Sequence, residues 1–168
     1  TTGVSKGATL LHRNILANAL QNDAWLQPAL RKPPHVEQLF IVCALPLYHI
    51  FALTAVLNFS IEIAAELVLL PRFGMKQMLA TMKRKPPTLF FGVPTLFIAM
   101  NALPRAKLPD LSHLRACISG GAPLPLDVRS TFERLMGVRV CEGYGLTEAS
   151  PIVTCNPIDG IMKENSCG

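Results

Sequence analysis

The sequence predicts an α/β protein with a layered, largely parallel sheet that is covered by helices. Continuous apolar runs such as Leu39 to Leu45 are typical of strands that are buried on both faces. These runs alternate with segments whose apolar residues recur at helical spacing, and the connections are short, which is the order of strands and helices in a parallel sheet. Half of the 168 residues are hydrophobic, so the chain can bury a sizeable core.

The elements near the start of the chain are assigned from local apolar patterns. Residues 8–11 form a short run that predicts a strand. Residues 14–27 show helical spacing, and Pro28 is expected to end that helix because proline lacks the N–H that would continue the hydrogen-bond ladder. Residues 28–38 are rich in proline and predict a surface connection.

The most apolar stretch of the chain, Ile50 to Leu70, is long enough to span a bilayer. It carries Glu62 and Glu66, and two carboxylates inside a membrane would be costly. A buried helix followed by a strand is therefore expected instead of a transmembrane segment. Applied to the rest of the chain, the same patterns predict strands at 39–45, 66–70, 88–91, 115–119 and 138–142, and helices at 50–63, 75–84, 94–103 and 125–136.

The charge of the chain indicates which partners to expect, and its cysteines indicate the cellular compartment. The net charge of +5 comes from scattered residues, and the basic run Lys83 to Lys85 has no interleaved aromatics, so nucleic acid is not expected as a partner. The five cysteines lie far apart and form no C-x-x-C pair, which favours reduced thiols in a cytoplasmic protein. Reversible, peripheral association with the inner face of the membrane is the most membrane contact that we expect.

Three polar or glycine-rich stretches follow predicted strands. They are Pro46 to Phe51, Gly120 to Leu124 and Gly143 to Glu148. In open parallel sheets, ligands bind in the crevice beyond the carboxyl ends of the strands. The shared position of the three stretches therefore predicts one composite site.

The stretch Glu142 to Glu148 carries the groups that a nucleotide site needs. Its glycines let the backbone approach a ligand closely, and the ring of Tyr144 can stack on a base. The hydroxyl of Thr147 can donate to a phosphate, and the carboxylate of Glu148 can bind Mg²⁺. A tight turn around a core tyrosine is the alternative interpretation, and Glu142 is expected to be a structural partner beside the site.

The loop Thr1 to Ala8 is small, hydroxyl-bearing and flexible, with one lysine. Backbone N–H groups in such a loop can bind phosphate oxygens together with an ammonium group. It does not fit the P-loop pattern, because Lys6 is followed by Gly7 instead of Ser or Thr. It is therefore a candidate phosphate loop of a different kind.

Four segments in this order resemble the motifs of the adenylate-forming superfamily, which comprises acyl-CoA synthetases, luciferases and peptide-synthetase adenylation domains. They are Thr-Thr-Gly-Val-Ser-Lys-Gly-Ala, Leu-Pro-Leu-Tyr-His-Ile-Phe, Gly-Gly-Ala-Pro-Leu and Gly-Tyr-Gly-Leu-Thr-Glu. The likeness covers essentially the whole chain and is closest to the long-chain fatty-acid–CoA ligases, because of Ala44 to Phe51 and Leu11 to Asn14. It implies that residues 1–168 are part of an N-terminal AMP-binding domain, with a phosphate loop at 1–8 and an adenine and Mg²⁺ motif at 143–148.

The resemblance implies a two-step reaction of a fatty acid with ATP, Mg²⁺ and coenzyme A. Fatty acid and ATP give acyl-adenylate and pyrophosphate, and the thiol of coenzyme A then displaces AMP. By this likeness Lys6, His49, Thr147 and Glu148 are catalytic, and Glu148 is the metal ligand. The implied nucleotide-binding positions are Thr1, Thr2, Gly3, Ser5, Lys6, Gly7, Gly120, Gly121, Ala122, Tyr144, Gly145 and Thr147.

Within this pattern, Lys6 would offset charge on the leaving pyrophosphate and Thr147 would bond the α-phosphate. His49 would lie beside the acyl carboxylate, with Tyr48 and Phe51 near the acyl pocket. A core histidine is the alternative for His49.

The superfamily pattern also includes a ribose-binding aspartate and a small C-terminal domain with a catalytic lysine, neither of which is found in residues 1–168. The isolated chain is therefore expected to lack adenylation activity. Two other functions stay open. One is a medium-chain or aryl acid–CoA ligase or an adenylation domain, and the other is a non-catalytic nucleotide- or lipid-binding relative.

Overall fold

The computed structural model describes residues 4, 7–164 and 166–168, and these residues form a six-stranded sheet. The strands are β1 Phe40–Cys43, β2 Glu66–Leu69, β3 Leu89–Gly92, β4 Ala116–Ser119, β5 Val140–Gly145 and β6 Ile152–Cys155. Their order across the sheet is β2-β1-β3-β4-β5-β6. All pairs are parallel except β5 with β6, which is antiparallel. The prediction of a layered, largely parallel sheet is confirmed.

Helices cover both faces of this sheet. They are α1 His12–Leu30, a π-helix Phe51–Asn58 that continues into α2 Phe59–Glu62, α3 Met75–Arg84, α4 Pro94–Asn101 and α5 Leu126–Met136. Short 3-10 turns occupy Arg105–Lys107 and Thr147–Ala149. The stretch from Ile50 to Leu70 is thus a helix followed by a strand, as predicted, and no helix among the described residues is long and apolar enough to cross a membrane.

Side chains alternate across the central strands and separate two apolar layers. Phe40, Val42 and Phe90 pack with α3, α4 and α5, which we call the α3–α5 face. Ile41 and Phe91 pack with α1, the π-helix and α2, which we call the α1 face. Each face is a continuous cluster of buried side chains, so the middle strands are apolar throughout.

Two expectations near the start of the chain are wrong. Residues 8–11 form no strand, because the side-chain oxygen of Asn14 accepts the N–H of Leu11 at 2.8 Å and closes the first turn of α1. Pro28 does not end α1, which continues to Leu30. The N–H of Arg31 still donates to the carbonyl of Gln27 at 3.0 Å, so the last turn closes despite the proline.

The end of the sheet also differs from the prediction. The strand expected at 138–142 runs from Val140 to Gly145, and β6 was not predicted. The glycines around Tyr144 indicated a loop, but this segment pairs with β6, with an irregular register at Tyr144 and Gly145. The antiparallel hairpin therefore carries the segment that the sequence placed in a loop.

Candidate active site

A cavity of about 520 Å³ lies at the carboxyl end of the sheet. The three predicted stretches contribute His49 to Phe51, Gly120 with Gly121, and Gly143 to Thr147 to its lining. Helix α1 and strand β6 form another wall. The predicted convergence of the three stretches on one site is confirmed, because the carboxyl ends of parallel strands meet at one edge.

The corner after β4 is shaped by two glycines. Gly121 has a φ of +84°, a conformation that favours glycine. A Cβ at Gly120 would lie 3.1 Å from the ring of Phe51, so a side chain there would force that ring to move. The Glu142 carboxylate accepts the N–H of Leu124 at 3.1 Å and ties the corner to β5. Glu142 is therefore a structural partner, as the sequence predicted.

The hairpin between β5 and β6 holds the predicted adenine and phosphate residues at the cavity. A Cβ at Gly145 would lie 2.5 Å from the carbonyl oxygen of Pro151, so this close backbone approach requires glycine. The N–H of Leu146 donates to the same oxygen at 2.9 Å and closes the loop. Tyr144 is 52% exposed, which leaves its ring free to stack on a planar ligand.

His49 has a defined hydrogen-bonding state at the start of the π-helix. Its Nδ1 accepts the backbone N–H of Phe51 at 3.2 Å. Because Nδ1 accepts this N–H, Nε2 is the ring nitrogen that can donate to a ligand. His49 is exposed and lines the cavity, which makes that Nε2–H available to an oxygen of a bound acid. The alternative of a core histidine is thereby wrong.

The two aromatic residues expected near the acyl pocket lie in different places. Phe51 lines the cavity, whereas Tyr48 is 93% exposed and lies outside the lining. Ala55, Phe91 and Ile118 add further apolar wall. The apolar part of the cavity is therefore built from the first turns of the π-helix and the ends of β3 and β4.

The predicted site residues differ in where they lie relative to the cavity. His49, Gly120, Gly121, Tyr144, Gly145 and Thr147 line the cavity. Ala122 and Glu148 are exposed just outside it, Glu148 on the 3-10 turn that begins at Thr147, and Gly7 is exposed near the start of the chain. Thr1, Thr2, Gly3, Ser5 and Lys6 lie outside the described residues, so their roles stay predictions.

Sequence reasoning missed one wall of the cavity. Asn18, Gln21, Asn22 and Trp25 of α1 line it, together with residues 151–155. A signal for this wall is present in the sequence. Three amide side chains and one tryptophan are spaced so that they lie on one side of a helix. That polar stripe indicates a helix whose inner face is not wholly apolar.

The described residues that line the cavity include no lysine, arginine, aspartate or glutamate. Burial raises the pKa of the Cys155 thiol to about 12, so this group also stays neutral at physiological pH. A ligand in this space therefore meets neutral polar groups at the hairpin and apolar groups at the π-helix.

The family model of AMP-binding enzymes matches residues 1–168. The long-chain-fatty-acid–CoA ligase of Bacillus subtilis (strain 168) is 42% identical over 168 residues, and 4-coumarate–CoA ligase 2 of Oryza sativa subsp. japonica is 35% identical over 173 residues. Both alignments cover 100% of this chain but only 29% and 30% of those proteins. The chain thus spans less than a third of the length of these relatives.

Solved structures agree with the family match. Apo MatB from Rhodopseudomonas palustris superposes with a TM-score of 0.84 at 30% identity, covering 100% of this chain and 32% of that one. A malonyl-CoA ligase in a ternary product complex with methylmalonyl-CoA and AMP superposes with a TM-score of 0.78 at 26% identity, covering 100% and 35%. Together with the match over every residue of the sequence, these likenesses show that the chain belongs to the family of AMP-binding enzymes.

Proposed function

We propose that the protein containing this chain is an AMP-forming acid–CoA ligase and that its acid is a long-chain fatty acid. The observation that carries the proposal is that two different elements line one cavity with different groups. Tyr144, Gly145 and Thr147 come from the end of β5 and the turn that follows it, and Phe51 and Ala55 come from the π-helix. An adenylate offers a base and a phosphate to polar groups and an acyl chain to apolar groups.

The first chemical step joins the acid to the nucleotide. A carboxylate oxygen attacks the α-phosphorus of ATP, and the bond to the bridging oxygen of the β-phosphate breaks as pyrophosphate leaves. The Nε2–H of His49 would donate to the other carboxylate oxygen and orient it. The hydroxyl of Thr147 would donate to the α-phosphate, and Lys6 would offset the charge on pyrophosphate.

The residues present fit a magnesium ion. Mg²⁺ in nucleotide sites is held by one or two carboxylates together with phosphate oxygens, and Glu148 offers one exposed carboxylate beside Thr147. Bound there, Mg²⁺ would neutralise charge that develops on the phosphate oxygens. In the second step the thiol of coenzyme A attacks the acyl carbon, and the bond between that carbon and the AMP oxygen breaks.

The neutral wall favours a monocarboxylic acid with an apolar chain. A dicarboxylic acid such as malonate would place a second carboxylate in the cavity, where the described lining offers no lysine or arginine. A long fatty acid gains affinity from each methylene that it buries, about 0.8 kcal/mol. We place the protein in the cytoplasm. Because a long fatty acid partitions into bilayers, we expect the protein to contact the inner face of the membrane reversibly.

The test is ATP–pyrophosphate exchange by the full-length protein with palmitate, octanoate, coumarate and malonate. We expect the highest kcat/KM with palmitate. A preference for coumarate would instead support an aryl-acid ligase, and a preference for octanoate a medium-chain ligase. Exchange with none of the four acids would support the non-catalytic relative.

Glu148→Ala tests the proposed metal ligand. Because Glu148 is exposed, its removal should leave the melting temperature unchanged, while exchange activity falls by about a hundredfold or more. Glu62→Ala is the matched control, since Glu62 is an exposed carboxylate at the end of α2 and outside the cavity lining. Equal activity of the two variants would contradict the assignment of Glu148.

A further inference from the structure

Helix α1 binds strand β6 at both ends through side chains that are two helical turns apart. The side-chain amide of Asn18 donates to the carbonyl of Ile152 at 2.8 Å, and its oxygen accepts the N–H of Ile152 at 3.0 Å. At the other end, the indole N–H of Trp25 donates to the carbonyl of Asn156 at 3.3 Å. Asn18 is only 5% exposed, so its two bonds to Ile152 are shielded from water.

These contacts determine where the hairpin lies. Within the described part of the chain, β6 is an edge strand with β5 as its neighbour. Its other contacts come from α1 at Ile152 and from residues 166–168 at Thr154, whose hydroxyl donates to the carbonyl of Cys167 at 3.0 Å. Ile152 pairs with Gly145 and follows Pro151, whose carbonyl closes the loop that contains Thr147 and Glu148. Any shift of Ile152 would therefore move the loop between them.

Helix α1 begins at His12, after the described segment at 7–11. Asn18 follows His12 by six positions, which is about 9 Å along a helix. One helix thus links the segment at 7–11 to the hairpin.

We propose that Asn18 is a positioning residue that holds the loop from Tyr144 to Glu148 at a fixed distance from the start of α1. Asn18 also lines the cavity, but both halves of its amide are bonded to Ile152, so its hydrogen bonds hold the hairpin. The inference rests on the proposed function, because it assigns the hairpin to ATP. Loss of this support would weaken the contacts of Tyr144 and Thr147 with bound ATP, and lost binding of this kind raises the KM for ATP.

Asn18→Ala in the full-length protein is the test. We expect the KM for ATP to rise about tenfold, which is the effect of losing about 1.4 kcal/mol of binding, with the KM for palmitate within twofold of wild type. A merely structural role would lower the fraction of active protein, and therefore kcat, without moving the KM for ATP. Asn18→Ser keeps a short polar group and should have a KM for ATP between those of wild type and Asn18→Ala. It replaces Asn18→Ala in the test if that variant does not fold.

Asn101→Ala is the matched control. Asn101 donates from its side-chain amide to the carbonyl of Val128 at 2.9 Å, joining α4 to α5 on the other side of the sheet. It should lower stability to a similar degree while leaving the KM for ATP unchanged. An unchanged KM for ATP in folded Asn18→Ala, or an equal rise in Asn101→Ala, would overturn the proposal.

Hydrogen exchange separates this proposal from the proposed function. Peptides that cover residues 143–155 should take up deuterium faster in Asn18→Ala and not in Asn101→Ala, because the N–H of Ile152 loses its acceptor. If wild type shows no ATP–pyrophosphate exchange, the ligase function is wrong, and hydrogen exchange still decides whether Asn18 holds the hairpin. Unchanged deuterium uptake over 143–155 would overturn the positioning role.

Discussion

The two faces of the sheet share the same strands but have different roles. On the α3–α5 face, Phe97 packs edge-to-face against Phe90 and Phe132, with ring centroids 5.9 Å and 4.9 Å apart. All three rings are fully buried. This geometry adds about 0.5–1.5 kcal/mol per pair to the burial of the rings, so this face contributes mainly to stability.

The α1 face combines apolar packing with buried polar groups and a cavity. Phe59 and Phe91 pack with centroids 6.2 Å apart, but Asn22, Thr54 and Ser60 are also buried on the helices that cover this side. Asn22 donates to the carbonyl of Ala55 at 3.4 Å, within the π-helix. π-Helical turns occur frequently at functional sites. The comparison indicates a division of roles. The helices of the α1 face border the candidate site, and the α3–α5 face stabilises the sheet.

The largest expected effect comes from breaking the supporting face. Phe97→Ala should lower the free energy of unfolding of the full-length protein by about 3–5 kcal/mol, because it leaves a cavity among buried rings. Under conditions where the variant stays folded, the KM values for ATP and palmitate should equal those of wild type. Denaturant unfolding and exchange kinetics measure the two quantities.

Phe51→Ala is the counterpart of that variant on the α1 face. Phe51 is half-buried and borders the cavity, so its removal should cost less stability and should change the KM for palmitate. A change in substrate KM caused by Phe97→Ala, with none caused by Phe51→Ala, would contradict the division between the two faces.

Much of the fold could be predicted from local pattern. Helix α3 was expected at 75–84 and runs from Met75 to Arg84, and the buried strands were found because each is a short apolar run bounded by polar residues. The edge of the sheet that holds the candidate site was also predictable, because the carboxyl ends of parallel strands lie at the same edge. What failed was β6, which has only four residues; Ile152, Val153 and Thr154 are β-branched and favour a strand, but so short a run beside a glycine-rich segment was assigned to the loop.

The contacts of α1 could not be predicted for a different reason. Asn18 and Ile152 are 134 positions apart, and a side-chain amide bonded to a distant backbone has no local signature. Amides on a helix are ordinarily solvated, so the spacing of Asn18 and Asn22 places them on one side of α1 but does not predict that they are buried. The parts of the candidate site that belong to sequence motifs were therefore predicted. The wall formed by α1 and β6 was not, because it depends on tertiary contacts.

Two glycines at strand ends give a closer comparison of the faces. A Cβ at Gly92, the last residue of β3, would lie 3.0 Å from the ring of Phe97 on the α3–α5 face. A Cβ at Gly120, directly after β4, would lie 3.1 Å from the ring of Phe51 at the cavity. The clash is nearly the same in the two places, but only the ring of Phe51 has open space beside it.

Gly92→Ala should therefore lower the free energy of unfolding by about 1–3 kcal/mol and leave the KM for palmitate unchanged. Gly120→Ala should cost less stability and raise the KM for palmitate, because Phe51 would be pushed into the cavity. The same denaturation and exchange assays apply. Equal stability losses in the two variants would show that the cavity does not relieve the clash.

The smallest expected effect concerns the thiol of Cys155 on the α1 face. Burial raises its pKa from the ordinary value of 9.0 to about 12. In the unfolded chain this thiol loses its proton near pH 9, whereas in the folded protein it keeps the proton. The folded state therefore binds more protons between pH 9 and pH 12. The contribution of this thiol to stability is fully present below pH 9 and is lost as the pH rises through that window.

Cys155→Ala isolates this contribution from other groups that titrate at alkaline pH. Between pH 9 and pH 10, wild type should lose about 1 kcal/mol more of its free energy of unfolding than the variant does. Denaturant titrations of both full-length proteins at the two pH values measure the difference. Parallel losses would mean that the thiol reaches water in the folded state. In that case the hairpin around Cys155 opens readily, and the α1 face would differ from the α3–α5 face in rigidity as well as in composition.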